Sequence, residues 1–484
     1  MPEFFMRQGA SQPRSAITVT DRITHTMAEG LGVNWFSTFD AKTYPAPEDD
    51  ARWGRILDHA TFLNINFVRF GQDSHVLTDD RGNFIPGHWS FDQLRRLNAW
   101  AEPRGVSIIA DTWWLPAPFQ FKPWPGAPRA WGAEDTEYQL GIEDIDGYVG
   151  RFVVPYLKYV SGEMGCRAVR WYNHVNEPLG ESYQGTTPEG IDECARYVEV
   201  LAAIRQGLNE AGLAHIGNMG PDACTHLPQY YFIPHMLEIG ADPDPYIQAY
   251  CMHQYQSRFD WDTAHDVTQS STMSATIDQQ MAEYCGHAHS RGKPYLITEL
   301  GMFQYGWRWG DPAGPARHDS AVLEAEFAVR AMAKGADCVL RWAWLNPGDR
   351  DGWWQLVNTA DGSDAPVLNP YYGYATLMRY VSRQAKILAS EVAYIGEGPS
   401  TVHSVAVENQ DGSRTLLVVN DNCNACEPVL IRFPVGAGST VRKIVNDPVR
   451  KHQEVGEFAV SAGAFEHADV LSPMSLTVYT TSTM

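Results

Sequence analysis

Two carboxylates in this 484-residue chain each close a short apolar segment. The stretch 168–180, AVRWYNHVNEPLG, carries Glu177, and the stretch 293–301, KPYLITELG, carries Glu299. Pro178 cannot donate to a sheet ladder and favours extended backbone at Glu177, which predicts a strand that ends at this carboxylate. If both strands belong to one parallel barrel, the two acids face each other at its mouth. Paired carboxylates in that position can cleave a bond by acid–base and nucleophilic steps.

The segments around these two stretches alternate between strand and helix patterns. Eight strands alternating with helices are typical of a (β/α)₈ barrel, whose chemistry lies at the carboxyl ends of its strands. Glu177 then ends the fourth barrel strand and Glu299 ends the seventh. The predicted barrel strands cover residues 30–39, 65–71, 106–113, 168–177, 216–221, 247–255, 294–300 and 338–345.

The sequence pattern changes beyond Ala385. From there on, short strand-like segments alternate with turn residues, and no segment has a clear helical pattern. About 100 residues of this kind are typical of a small antiparallel sandwich. The predicted fold class is therefore α/β, a (β/α)₈ TIM barrel with a C-terminal antiparallel β-sandwich. The predicted domains are an N-terminal segment 1–29, with a strand that joins the sandwich, the barrel 30–384 and the sandwich 385–484.

The charge of the chain bears on its partners. A formal net charge of −21 and a pI near 5.1 disfavour nucleic acid and anionic membranes as partners. There is no run of about 18 apolar residues, and the first residues lack the pattern of a signal peptide, so a cytoplasmic location is expected. Cys423 and Cys426 form half of a metal or redox motif without its other half, and two incidental loop cysteines are the simpler interpretation.

The predicted strand ends carry a specific set of polar and aromatic residues. In this set, Arg ends the second strand, Asn-Glu-Pro the fourth, His-x-Tyr the sixth, Glu the seventh and Trp the eighth. This order resembles the retaining glycoside hydrolases of clan A, most closely glycoside hydrolase family 5, with families 30 and 39 as neighbours. The candidate site residues are Arg69, Asp111, Trp113, Asn176, Glu177, His253, Tyr255, Glu299, Trp342 and Trp344.

The resemblance implies a role for most of these residues. Glu177 would be the acid/base and Glu299 the nucleophile, and Asn176 would bind the sugar 2-hydroxyl. The nucleophile would be held ionised by Arg69 and Tyr255, and His253 would lie near the acid/base. The floor of the sugar site would be formed by Trp342 or Trp344. One departure is Trp113, which stands where the family has a His at the end of the third strand.

These features predict a retaining O-glycosidase that acts on an oligosaccharide or glycoside, with exo action on β-linked gluco-, manno- or galacto-configured sugars. The alternatives are an arabinofuranosidase or galactofuranosidase of the same clan, an endo-glycanase, or a non-catalytic sugar-binding barrel. The last is disfavoured because both carboxylates are present. A metal-dependent hydrolase would need a His-x-His at the first strand, which instead reads Asn34-Trp35-Phe36, so no metal or cofactor is expected. The sequence does not specify an oligomeric state.

Overall fold

A computed structural model describes most of the chain. The described residues are 13–36, 48–122, 141–178, 190–224, 236–257, 271–303, 318–345, 354–359, 361–395 and 400–484.

Eight parallel strands form a closed barrel, as the sequence predicts. Each strand is hydrogen-bonded to the next in chain order, and the last pairs with the first, so the barrel has no free edge. The strands are β2 (Gly30–Phe36), β3 (Phe67–Gln72), β4 (Ser107–Thr112), β5 (Val169–Asn173), β6 (Gly217–Cys224), β7 (Ala249–Ser257), β8 (Tyr295–Phe303) and β9 (Cys338–Arg341).

Helices follow the barrel strands and bury one face against them. Helix α1 (Asp50–Leu63) begins at the cap residue Asp49, whose side chain accepts from the Arg52 amide, and ends at Asn64 in the left-handed conformation. The others are α2 (Ser90–Ala101), α3 (145–163, with π-helical turns at Val149–Val153 and Tyr159–Glu163), α4 (Glu193–Glu210), α5 (Ser271–Ser290), α6 (His318–Lys334) and α7 (Leu368–Met378). No described helix is long and apolar enough to cross a membrane.

Nine of the other strands in the described residues form one sheet, which includes β1 (Ser15–Thr26). The others are β12 (Lys386–Tyr394), β13 (Val402–Glu408), β14 (Arg414–Asn420), β15 (Glu427–Pro434), β16 (Thr440–Asn446), β17 (Gln453–Ala459), β18 (Ala464–Leu471) and β19 (Ser475–Thr480), while β10 (Val357–Asn358) and β11 (Ala365–Pro366) pair separately. Strand β1 pairs antiparallel with β12 and parallel with β15. The order in the sheet is β17-β16-β19-β14-β13-β12-β1-β15-β18.

The nine-stranded sheet curls over itself into a sandwich with its own hydrophobic core. Its two edge strands meet, because the rings of Phe458 in β17 and Phe465 in β18 lie 5.5 Å apart. The other face of the sheet packs on helices α6 and α7. Buried residues of this face, such as Val405 and Val478, belong to the same hydrophobic cluster as the barrel. The boundaries 29/30 and 384/385 stay a prediction, since one apolar core continues across the junction.

Candidate active site

Apolar side chains fill the part of the barrel interior that lies towards the amino ends of the strands. They form a cluster of their own that contains residues from the barrel strands and none from a helix. At Gly32 in β2 there is no room for a side chain, because a Cβ there would lie 1.8 Å from the carbonyl oxygen of Phe67. We call this cluster the apolar layer; it consists of Phe67, Ile109, Trp171, Met219, Ala249, Cys251, Leu296, Cys338 and Leu340.

A second set of inward-facing residues lies on the same strands, nearer to their carboxyl ends. Because side chains alternate along a strand, the residue two positions after each inward-facing one also faces inward. Register shifts in β6, between Pro221 and Ala223, and in β8, between Ile297 and Leu300, bring an extra residue into this set. We call this set the polar layer; it consists of Asn34, Arg69, Asp111, Asn173, Asp222, His253, Thr298, Glu299 and Trp342.

Arg69 is the centre of the polar layer and is fully buried. Its Nη1 donates to Glu299 Oε1 at 2.5 Å and to Asn34 Oδ1 at 3.0 Å. Its Nη2 donates to Asn176 Oδ1 at 2.6 Å and to Asp222 Oδ2 at 2.7 Å, and lies 2.9 Å from an oxygen of Asp111. A planar guanidinium suits several acceptors at once. The arrangement fixes Glu299, on β8, and Asn176, in the turn after β5, relative to Arg69 on β3.

The carboxylates of Glu177 and Glu299 meet on either side of His253. The Nδ1 atom of His253 is 2.8 Å from Glu177 Oε1 and 3.4 Å from Glu299 Oε2. The nearest oxygens of the two carboxylates lie within 4.8 Å of each other. The structure therefore brings together the two acids that the sequence singled out, from elements 122 residues apart, with the side chain of a third predicted site residue between them.

The backbone before Glu177 differs from the sequence prediction. Strand β5 ends at Asn173 rather than at residue 177, so Asn176 and Glu177 lie in the turn that follows the strand. Glu177 has a φ of 39°, in the left-handed region, whereas a residue before proline usually has extended backbone. This conformation costs on the order of 1 kcal/mol. The hydrogen bond to His253 holds the Glu177 side chain over the barrel mouth despite that cost.

Burial and neighbouring charges shift several pKa values in opposite directions. Burial raises the pKa of Asp111 to about 7, against the attraction of Arg69. Burial opposes ionisation of Asp222 as well, yet Arg69 and His253 outweigh it and lower the pKa of Asp222 below its usual range. Burial would lower the pKa of His253, but Glu299 and Asp222 raise it to about 10. The contacts of His253 with Glu299 and Asp222 thus favour its protonated form.

The predicted aromatic residues fall into three groups. The rings of Trp113 and Trp342 are stacked 5.5 Å apart, and the Arg69 guanidinium lies 5.9 Å from the Trp113 ring centre, which places this pair beside the carboxylates. Trp344 is fully buried in the hydrophobic core and lies 5.8 Å from the ring of Trp35. The expectation that Trp344 forms part of a sugar-binding floor is corrected, because its ring has no exposed surface. Tyr255 lies in β7, but its side chain is outside the described residues.

Asp111 was expected to contact substrate, but it is fully buried beneath the mouth of the barrel. One oxygen accepts from Asn173 Nδ2 at 2.7 Å and the other lies next to Arg69. Its position is therefore that of a support for Arg69. The structure also adds residues that the sequence interpretation passed over, Asn34, Asn173, Asp222 and Thr298. The available signal for Asp222 was a single acid directly after the strand predicted at 216–221.

Within the described part of the chain, two groups of side chains have the spacing of metal ligands. The first is Glu177, His253 and Glu299, where Arg69 Nη1 already donates to Glu299 Oε1. The second group is Glu326, His403 and Asp421, at the junction between α6 and the nine-stranded sheet. There Arg330 Nη1 donates to Glu326 at 2.9 Å, so a fixed cation already neutralises one of the carboxylates.

Comparisons with known proteins find similarity in structure only. No protein-family model matches the chain, and no curated protein matches its sequence. Among solved structures, the chain is similar to the catalytic domain of a family 30 xylanase C from Talaromyces cellulolyticus, with 14% identity, a TM-score of 0.64, and 96% of this chain and 99% of that one covered. It is also similar to an endo-β1,6-glucanase, with 14% identity, a TM-score of 0.64, and 98% and 95% covered.

A third similar structure is a family 51 α-L-arabinofuranosidase from Bifidobacterium longum, with 12% identity, a TM-score of 0.59, and 97% of this chain and 100% of that one covered. At such low identity the likeness shows the fold, and it extends over the barrel and the sheet together. Two of these structures are named as members of families 30 and 51, so the closer resemblance to family 5 stays a prediction.

Proposed function

We propose that the protein is a retaining glycoside hydrolase with Glu299 as nucleophile and Glu177 as acid/base. The observation that carries this proposal is the separation of the two carboxylates, whose nearest oxygens lie within 4.8 Å. Retaining enzymes have their carboxyl groups about 5–5.5 Å apart, whereas inverting enzymes need about 6.5–9.5 Å to admit a water molecule. Three solved structures of the same fold carry the names of a xylanase, a glucanase and an arabinofuranosidase, which supports the same reaction class.

In this mechanism the polar layer prepares Glu299 for attack. Arg69 donates to Glu299 Oε1 at 2.5 Å and balances its negative charge. Glu299 attacks the anomeric carbon while Glu177 gives a proton to the departing glycosidic oxygen, and a covalent glycosyl–enzyme intermediate forms. Glu177 then takes a proton from water, which attacks the same carbon and releases Glu299. Two inversions at one carbon give a product with the configuration of the substrate.

We further propose that the substrate is a β-linked pyranoside of gluco, manno or galacto configuration. The half-buried ring of Trp113, stacked on Trp342, offers a flat apolar face beside Arg69 for the CH-rich side of a sugar ring. A furanoside is the second candidate, because one protein of the same fold is named an arabinofuranosidase.

A panel of aryl glycosides tests the reaction and the ring form together. We expect turnover on β-pyranosides, with NMR of the first product showing the retained anomer. Hydrolysis of aryl arabinofuranosides or galactofuranosides alone would support the furanosidase instead. An inverted first product would contradict the two-step mechanism, and binding of sugars without turnover of any of the glycosides would indicate a non-catalytic barrel.

Exo action is the preferred form of this proposal. The long Pro- and Trp-rich segment 114–136 and the Trp-bearing segment 303–318 have enough length to close one end of a groove, although residues 123–140 and 304–317 lie outside the described part. A hexasaccharide labelled at its reducing end distinguishes the two modes. An exo enzyme releases monosaccharide from the start and shortens the labelled chain by one unit at a time. Early labelled di- and trisaccharides would indicate an endo-glycanase.

A further inference from the structure

Asp222 lies between Arg69 and His253 in the polar layer and contacts both of them. It is fully buried and has a φ of 55°, in the left-handed region, at the register shift in β6. Its Oδ2 accepts from Arg69 Nη2 at 2.7 Å and from Asn173 Nδ2 at 2.7 Å, and it lies 3.2 Å from His253 Nε2. Its Oδ1 accepts from the hydroxyl of Thr298. Both oxygens are therefore engaged by donors from neighbouring strands.

The ring of His253 lies between acceptors on both sides. Its Nε2 faces Asp222, while its Nδ1 faces Glu177 Oε1 at 2.8 Å and Glu299 Oε2 at 3.4 Å. A neutral imidazole carries one N–H and one lone pair, so one side of the ring would then meet an oxygen without a proton between them. Only the doubly protonated ring donates in both directions. Two further titratable groups belong to this network: Arg69, on the other side of Asp222, and Asp111, which also contacts Arg69.

We propose that Asp222 is a positioning residue that keeps His253 doubly protonated, so that the Nδ1–H of His253 is a fixed donor between the two catalytic carboxylates. The direction of the His253 pKa, which Glu299 and Asp222 raise, agrees with this role. Asp222 remains ionised in turn because Arg69 and His253 lower its pKa. Asp222 and His253 are both buried, so each stabilises the charge of the other by direct contact and water does not.

The catalytic part of this inference rests on the proposed function, in which Glu177 is the acid/base. The Nε2 atom of His253 lies 3.2 Å from Asp222 Oδ2, in ion-pair contact, and its Nδ1 atom lies 2.8 Å from Oε1 of the acid/base Glu177. As the acid, Glu177 carries a proton of its own, and the Nδ1–H of His253 donates to its Oε1 across 2.8 Å. Loss of the Nδ1 proton at high pH removes the donor that lies between Glu177 and Glu299. The alkaline limb of activity should then follow the ionisation of His253.

The test is the titration of the His253 ring by NMR in full-length protein labelled with ¹⁵N-histidine, with His253→Gln identifying the signal. In the unsubstituted protein we expect both ring nitrogens to be protonated at pH 8, and the Nε2–H to be protected from exchange with water. In Asp222→Asn, the titration midpoint should fall by about 1–3 pH units, since a buried opposite charge in contact has been removed.

Asp111→Asn is the matched control. Asp111 contacts Arg69 and accepts from Asn173, as Asp222 does, but the charged groups that raise the His253 pKa are Glu299, Asp222 and Glu177. The control should leave the His253 midpoint within a few tenths of a pH unit. An equal fall in both variants would assign the effect to general disturbance of the polar layer and would overturn the proposal.

The remaining outcomes are also decisive. A His253 ring that is neutral at pH 8 in the unsubstituted protein overturns the inference even if Asp222→Asn does not fold. An unchanged midpoint in a folded Asp222→Asn overturns it as well. On an active glycoside substrate, the alkaline limb of kcat/KM should move to lower pH by the same interval as the NMR midpoint. If no glycoside is hydrolysed, the proposed function fails, while the ring titration still decides the role of Asp222.

Discussion

Two successive layers of side chains fill this barrel, and they differ in chemistry although the same strands supply both. The apolar layer consists of residues such as Phe67, Ile109 and Leu296, whose contribution is volume and dispersion contact. Two positions further along, the same strands supply Arg69, Asp111 and Thr298, which contribute charge and hydrogen bonds. A step of two residues therefore separates a layer in which a substitution costs packing from one in which the loss of a charged residue leaves its buried partner unpaired.

The largest effect is expected for Glu299→Gln in the polar layer. The amide keeps the volume and accepts one hydrogen bond from Arg69, but it cannot form the covalent intermediate. We expect turnover of aryl glycosides to fall by about 10⁴-fold or more, while the circular dichroism spectrum stays unchanged. Glu299→Asp is the matched variant, because it keeps the negative charge but holds the carboxylate one methylene further from the substrate. Turnover within a few fold of normal in Glu299→Gln would remove this residue from the mechanism.

A smaller and substrate-dependent effect is expected for Glu177→Ala. Loss of a general acid costs about 10²–10⁴-fold on leaving groups that need protonation, and little on those that leave as stable anions. Azide fits the space left by the carboxylate and should restore turnover, giving a glycosyl azide of retained configuration. An azide product of inverted configuration would instead make Glu177 the nucleophile. Equal loss on all leaving groups, without rescue, would contradict the acid/base role.

Much of this architecture could be predicted because barrel strands leave strong local signals. Buried strands of a parallel barrel are continuous apolar runs, so both the strand count and the polar residue at each strand end can be identified from the sequence. Strand β18 leaves a weaker signal, because its segment AFEHADVL is polar at the sheet edge. Helix α7 also leaves a weak signal, because it contains Pro370 and Gly373. Gly373 is set by tertiary contact, since a Cβ there would lie 2.8 Å from the Cβ of Ala321.

The site was predictable to the extent that side chains lie at regular strand ends. Arg69, Asn176, His253 and Glu299 could be named because strand order places them around one mouth. Asp222 could not, because a register shift rather than strand alternation turns it inward. The burial of Trp344 could not be predicted either. Strand alternation turns both Trp342 and Trp344 inward, but it does not tell that Trp342 lies at the barrel mouth and Trp344 in the hydrophobic core.

Asp111→Asn is expected to change the dependence of stability on pH. Burial raises the pKa of Asp111 to about 7 in the folded protein, whereas an unfolded Asp titrates near 4. Between these values the folded state retains a proton that the unfolded state has lost, so this group lowers the free energy of unfolding as pH rises from about 4 to about 7. Urea titrations should show the unsubstituted protein losing stability relative to Asp111→Asn across that interval. If the difference in free energy of unfolding between the two proteins were the same at every pH, the raised pKa of Asp111 would be contradicted.

The smallest effect on turnover is expected for Ile109→Ala, on the same strand as Asp111 and two residues before it. Ile109 is fully buried in the apolar layer, and truncation removes contacts and leaves a cavity, which costs about 2–5 kcal/mol in the free energy of unfolding. Because Ile109 carries no polar group, the charges around Arg69 stay paired, and kcat/KM below the unfolding transition should stay within about threefold of normal. Urea titration and steady-state kinetics on one preparation measure both quantities. A loss of turnover as large as that of Glu177→Ala, with stability unchanged, would show that the two layers do not act separately.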